Sequence, residues 1–98
     1  MSEMIPTPTV SEILREEFME PLGISAYYLA KAIHVPVSRI QDILHGRRKV
    51  TADTSIRLGR FFGVSDQYFL RLQLDLDIRK EKLLHQNEFN QIKVFQPA

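Results

Sequence analysis

Between positions 37 and 49 the chain gathers residue types suited to reading and gripping a polyanion. Gln41 offers an acceptor and a donor side by side, the pattern that pairs with adenine, and Arg39 offers the parallel donors that pair with guanine. Val37 suits a thymine methyl, and Asp42 either accepts from cytosine or orients Arg39. Ser38 stands among them. His45, Arg47, Arg48 and Lys49 follow within a few residues and are suited to neutralising phosphates. Ser25, at a predicted helix start, can offer a phosphate its hydroxyl and a backbone N–H together.

These side chains act together only if a helix presents them on one face. Ser25 is a good N-cap, and a helix is predicted over about 26–34, with Leu29, Ala30 and Ile33 facing inward. Pro36 suits the start of a following helix, predicted over about 37–45, whose core face is Ile40, Ile43 and Leu44. Gly46 stands where a left-handed C-terminal residue belongs. Val37, Ser38, Arg39, Gln41 and Asp42 are left outside. Two short helices across a tight turn, with Leu29, Ala30, Val35 and Ile40 at their crossing, have helix-turn-helix dimensions. Such a second helix meets base edges with its N-terminal residues. The competing explanation is a plain helical hairpin with a charged loop.

Three further helices are expected around this pair. Thr9-Val-Ser-Glu12 has capping-box form and starts a helix over about 10–20, with Ile13, Leu14 and Phe18 as its stripe and Pro21 and Gly23 as its stop. Thr51 caps a helix over about 52–62 that Gly63 ends, with Asp53, Arg57 and Arg60 on one face. Ser65 caps a last helix reaching about Leu84. It carries two apolar stripes, Phe69, Leu72, Leu76 and Leu70, Leu74, Ile78. One suffices to pack on the domain, so the second suits a dimer interface or a doubly buried helix. The expected organisation is an extended arm over 1–8, an all-α, five-helix DNA-binding domain over 9–84 and a C-terminal tail over 85–98. Within the tail, Ile92 to Phe95 alternates as a short strand or an ordered segment would.

The 98 residues allow one domain, and the net charge of +1 hides an uneven distribution. Residues 1–30 carry five acids and one base, residues 31–60 seven bases and two acids, and residues 61–98 five of each. Net basic charge concentrated in the middle third fits a polyanion partner, although a solvated face alone would also account for it. The acidic first helix suits a basic protein partner, and so does the tail.

Other function classes find little support. There is no cysteine, so disulfides and thiolate chemistry are excluded. His34, His45 and His85 lack a second ligand at metal spacing, and no glycine-rich phosphate loop or nucleophile setting is present. No cofactor, metal or catalytic role is expected. No apolar run approaches a membrane span, and the N-terminus lacks a signal peptide's basic start and apolar stretch, so a cytoplasmic, nucleoid-associated location is expected.

Four segments resemble HigA-type antitoxins, within the larger Xre/Cro-like (lambda-repressor-like) helix-turn-helix group. They are Glu12 to Gly23, Ile40 to Gly46 with its basic loop, Val50 to Leu58, and Ser65 to Gln73. Together they span about residues 9–78. The resemblance implies a homodimer on a palindromic double-stranded operator, autorepression, and neutralisation of a RelE-like toxin that cleaves mRNA. A stand-alone Xre-type regulator without a toxin, or a pure protein-interaction module, are the alternatives. Two residues depart from the family pattern. His34 occupies the turn position usually held by glycine, and Phe69 replaces the usual tryptophan of the last helix.

Overall fold

The computed structural model describes residues 7–97. Most of the expected N-terminal arm lies outside the described residues, and Thr7 and Pro8 have no regular structure. The described residues form helices joined by turns, with no strand among them. None of these helices is long and apolar enough to cross a membrane.

The first helix, α1 (Val10–Ile13), starts at Thr9, whose Oγ1 accepts from the Glu12 N–H at 3.1 Å. It runs into a π segment, Leu14–Met19, marked by the Glu20 N–H reaching the Arg15 carbonyl at 2.9 Å. The wider i→i+5 turn brings Leu14 and Met19 onto the buried face together. Ile13 and Phe18, expected inside, are only half-buried.

The helices α2 (Ala26–Ile33) and α3 (Val37–Leu44) form the central pair. Ser25 caps α2 through its Oγ, which accepts from the Tyr28 N–H at 3.0 Å. Thr51 caps α4 (Ala52–Phe62), and Gly63 ends it at φ 74°. The core lies between these elements, built from Leu14, Leu29, Ala30, Ile33, Ile40, Ile43, Leu58 and Phe69. Phe18 meets Phe62, Tyr68 and Phe69 edge-on, with ring centroids 5.1, 5.7 and 4.9 Å away. Phe69 is fully buried, so it does fill the aromatic core position.

The last helix, α5 (Tyr68–Asn90), starts later and ends later than the sequence suggests. Ser65 does not cap it. A buried serine of α4 does: Ser55 Oγ accepts from the Leu70 N–H at 3.1 Å and donates to the Asp66 carbonyl at 2.7 Å. The turn between the two helices also packs on Gly59, where a Cβ would collide with the Ser65 carbonyl. Phe69, Gln73 and Leu76 are the buried face of α5. Leu72 and Leu70 are half-buried, while Leu74 and Ile78 remain 56% and 46% exposed. The second stripe is therefore not covered by the chain itself. Past Leu76 the helix leaves the body and breaks its regular geometry at His85 before continuing to Asn90. This arm raises the radius of gyration to 16.9 Å, against about 13 Å for a compact chain of this length. The expected tail thus begins as helix, and Ile92 to Phe95 is exposed and without regular structure.

Gln73 performs a second tertiary task. Its Oε1 accepts from the Val50 N–H at 2.8 Å and its Nε2 donates to the Val50 carbonyl at 2.9 Å, both in the interior. This pair of hydrogen bonds ties the segment after α3 to α5. Replacing Gln73 by Leu keeps the volume but orphans both backbone groups. The expected cost is about 2–4 kcal/mol, read as a lower urea midpoint. An unchanged midpoint would show that Val50 finds other partners.

Candidate nucleic-acid interface

Every helix leaves its last four carbonyls without partners inside the helix. In α3 all four are met. The Gln41 carbonyl accepts from the His45 N–H at 3.0 Å and from His45 Nδ1 at 2.7 Å. The Asp42 carbonyl accepts from the Arg47 and Arg48 N–H groups at 2.8 and 3.2 Å. The Ile43 carbonyl accepts from the Gly46 N–H at 3.0 Å, and it and the Leu44 carbonyl are also reached from α1 and the π segment after it. Ser11 Oγ donates to the Ile43 carbonyl, and Arg15 Nη2 donates to the Leu44 carbonyl at 2.7 Å. A cation at a helix C-terminus is also favoured by the helix dipole. Arg15 therefore serves an internal bond and is not part of an outward charged face.

The other end of α3 is set by the turn. His34 sits at φ 62°, ψ 49°, the left-handed conformation that the sequence reading anticipated there. Arg57 of α4 braces it, its Nη1 donating to the Ile33 carbonyl at 2.9 Å and standing 3.5 Å from the His34 carbonyl. Pro36 is the N-cap of α3, just ahead of its first turn.

With both ends held, the outer face of α3 has a defined composition. Ser38 and Gln41 are exposed. Val37 is half-buried and packs against the core, so less of it is offered outward than its expected base-edge role implies. Arg39 is also half-buried and gives Nη1 to Asp53 Oδ2 at 2.8 Å. Asp42 does not orient Arg39; it pairs with Arg47 at 3.1 Å. Asp53 takes that part, and it also binds Arg57 Nε at 3.0 Å. Hydrogen bonds first from Arg57 and then from Arg39, opposed in part by desolvation, hold the Asp53 carboxyl below its ordinary 3.8. The contribution of this carboxylate to stability is complete above that value and is lost as pH falls through the lowered one.

The residues singled out for phosphates differ in their partners. His45, Arg47, Arg48 and Lys49 are all exposed. Lys49 pairs with Asp77 of α5 at 2.7 Å, and Arg47 with Asp42. Arg48 has no ion pair among the described residues and lines an open cleft with Arg39, Thr51, Asp53, Thr54 and Arg57. Ser25 is exposed at the start of α2, with its hydroxyl engaged as the cap. Asp53, Arg57, Ser11 and Arg15 were not assigned roles here by sequence reasoning. The shared face of Asp53 and Arg57 on α4 was visible, but its approach to α3 was not.

The model of the HTH_3 family, described as helix-turn-helix, matches residues 14–69. The chain is 47% identical over 75 residues to virulence-associated protein I of Dichelobacter nodosus, covering 76% of this chain and 69% of that protein. It superposes on Pseudomonas aeruginosa antitoxin HigA with the higBA promoter at a TM-score of 0.79 and 31% identity, covering 92% of this chain and 99% of that one. Against antitoxin GraA in complex with its operator the TM-score is 0.81 with 30% identity, covering 99% of each chain.

The turn supplies a test of its own. A left-handed conformation costs a non-glycine residue roughly 1–2 kcal/mol, while glycine's extra chain entropy costs about 0.5–1 kcal/mol. His34 is exposed, so little packing is at stake. His34→Gly should therefore raise stability by about 0.5–1 kcal/mol in urea unfolding. A lower stability would mean that the imidazole itself supports the turn.

Proposed function

This chain belongs to the HTH_3 helix-turn-helix family, and on that premise we propose that it is an antitoxin and transcriptional autorepressor. In this reading it binds a palindromic operator as a homodimer and neutralises a RelE-like toxin. The observation that carries the DNA part is the face of α3 on which Ser38 and Gln41 are exposed, with the exposed Arg47-Arg48-Lys49 rim directly after the helix. A rigid helix with a polar N-terminal face and cations at its far end suits major-groove reading flanked by phosphate contacts. Val37, Ser38, Arg39, Gln41 and Asp42 are the base-side residues of the proposal. Ser25, His45, Arg47, Arg48 and Lys49 are its phosphate-side residues. That solved relatives were obtained with a promoter or an operator supports it.

The dimer part rests on α5. Leu74 and Ile78 are uncovered, and the arm beyond them adds exposed Leu83, Leu84 and Phe89. A helix this free of tertiary contacts is marginal in water on its own. A second copy packing along Leu74 and Ile78, with half-buried Leu70 at the edge, would supply the missing contacts. A two-fold pair then calls for inverted half-sites about one DNA turn apart.

Two variants on the shared promoter test the DNA contacts together. Gln41→Ala should cost about 1–3 kcal/mol on the preferred site and relax one base position. Arg48→Ala should weaken all duplexes alike and flatten the salt dependence by roughly one unit. An unaltered preference in the first and an unaltered slope in the second would remove α3 and its loop from the interface. Co-purification with the product of a neighbouring short gene tests the toxin part. Operator binding without such a complex would favour a stand-alone regulator.

Leu74→Glu tests the dimer independently, by placing a charge in the seam. Sedimentation should show monomers, with any loss of helix content confined to the unsupported end of α5. A dimer that persists would exclude this stripe.

A further inference from the structure

Asp53 is an odd residue for a basic rim. It is an exposed acid, with 55% of its side chain accessible, and it stands in a cleft with Arg39, Arg48 and Arg57. An acid there repels a phosphate backbone and weakens any sequence-independent grip. Exposed ion pairs contribute little to stability, and a place in the first turn of α4 gives an acid only a modest helix-dipole benefit.

Its geometry suggests another task. A single oxygen, Oδ2, accepts from Arg39 Nη1 at 2.8 Å and from Arg57 Nε at 3.0 Å. Arg57 is itself tied to the backbone at the end of α2 through the Ile33 carbonyl. The carboxylate is therefore not a loose counter-ion, because it is fixed to the turn that orients α3. Arg39 is held through one terminal nitrogen only. Its Nε and Nη2, which lie along one edge of the planar guanidinium as parallel donors, have no partner among the described residues. That edge is one of the two forks through which arginine can donate to the O6 and N7 of guanine together.

We infer that Asp53 is a specificity-determining positioning residue, which holds the Arg39 guanidinium by Nη1 so that its Nε–Nη2 edge is preset to donate to guanine. The inference rests on the reading of α3 as the DNA-reading helix and deepens it. Asp53 acts through Arg39 and touches no base. The acid exchanges general affinity for discrimination: it disfavours phosphates nearby while removing the freedom of the one side chain able to read guanine at this position.

This arrangement has a signature that a structural role lacks. Loss of a merely structural residue weakens binding to every duplex, and loss of a merely repulsive charge strengthens binding to every duplex. Loss of Asp53 should do opposite things to the two kinds of binding. The experiment uses the full chain and a pool of randomised duplexes, followed by titration of the selected site and of an unrelated duplex. Asp53→Ala should lower the preference for guanine at one position about tenfold and raise affinity for the unrelated duplex. Arg39→Ala should remove the preference at the same position, and the double variant should be no less selective than Arg39→Ala alone. If Arg39→Ala loses a guanine and Asp53→Ala keeps it, the positioning role is overturned while the reading of α3 stands. If Arg39→Ala leaves the profile unchanged, the reading at that position falls as well. Asp53→Asn, which keeps an acceptor but drops the charge, should raise affinity for the unrelated duplex and retain more of the preference than Asp53→Ala. Equal loss in both variants across all duplexes would also overturn the inference.

Discussion

The carbonyl end of α3 is the constraint on which the rest of this structure turns. A helix of eight residues cannot hold its own direction, since half of its carbonyls have no partner within it. Here the last four are all satisfied, and the two outermost are reached by Ser11 and Arg15 from the first helix. A charged donor on a carbonyl contributes about 1.5–3 kcal/mol net, more than most single contacts in a domain this small. The first helix and its π segment thus act as a mount for α3, and their residues are placed for that purpose as much as for the core.

The opposite end of α3 is held by a longer route. The left-handed residue His34 stores a small strain in the turn, and Arg57 reaches across from α4 to the carbonyl at the end of α2. The segment after α3 is then fastened to α5 by Gln73, and Lys49 adds an ion pair to Asp77. Consequently α3 is connected to every other helix through a polar side chain or a shared core. A change in the packing of α5, including one imposed by a second copy or a partner, has a short covalent and hydrogen-bonded path to the loop after α3.

Much of this was legible in the sequence where local chemistry decides. Thr9, Ser25 and Thr51 cap the helices they were expected to cap, because an N-cap depends on a hydroxyl and the next three residues only. The left-handed turn at His34 was pointed to by the family resemblance, which puts glycine there, while the local pattern ran the helix through it. What escaped was tertiary. Ser65 looks like a cap in sequence, yet the hydroxyl that serves α5 comes from Ser55 on the neighbouring helix. Met19 joins the core because a π turn shifts the register from i+4 to i+5, which a 3.6-residue period does not anticipate. Gln73 reads as a polar face residue, and only the approach of Val50 makes it an interior one. Asp42, three residues along the same helix, is the partner that one dimension offers Arg39, and the approach of α4 to α3 brings Asp53 there instead.

The pairing of charges along the candidate interface explains how a chain of net charge +1 can carry a binding face at all. Arg39, Arg47, Lys49 and Arg57 each face a carboxylate, which relieves their mutual repulsion in the free protein. A cation so paired gains less from a phosphate than an unpaired one, since it must share or release its acid. Among the basic residues of the loop, Arg48 alone has no such acid among the described residues. A face built this way trades the nonspecific attraction of a purely basic surface for fixed donor geometry. Binding then depends on whether a duplex satisfies that geometry well enough to displace or accommodate the internal carboxylates. Selectivity on such a surface comes from its acids as well as from its bases.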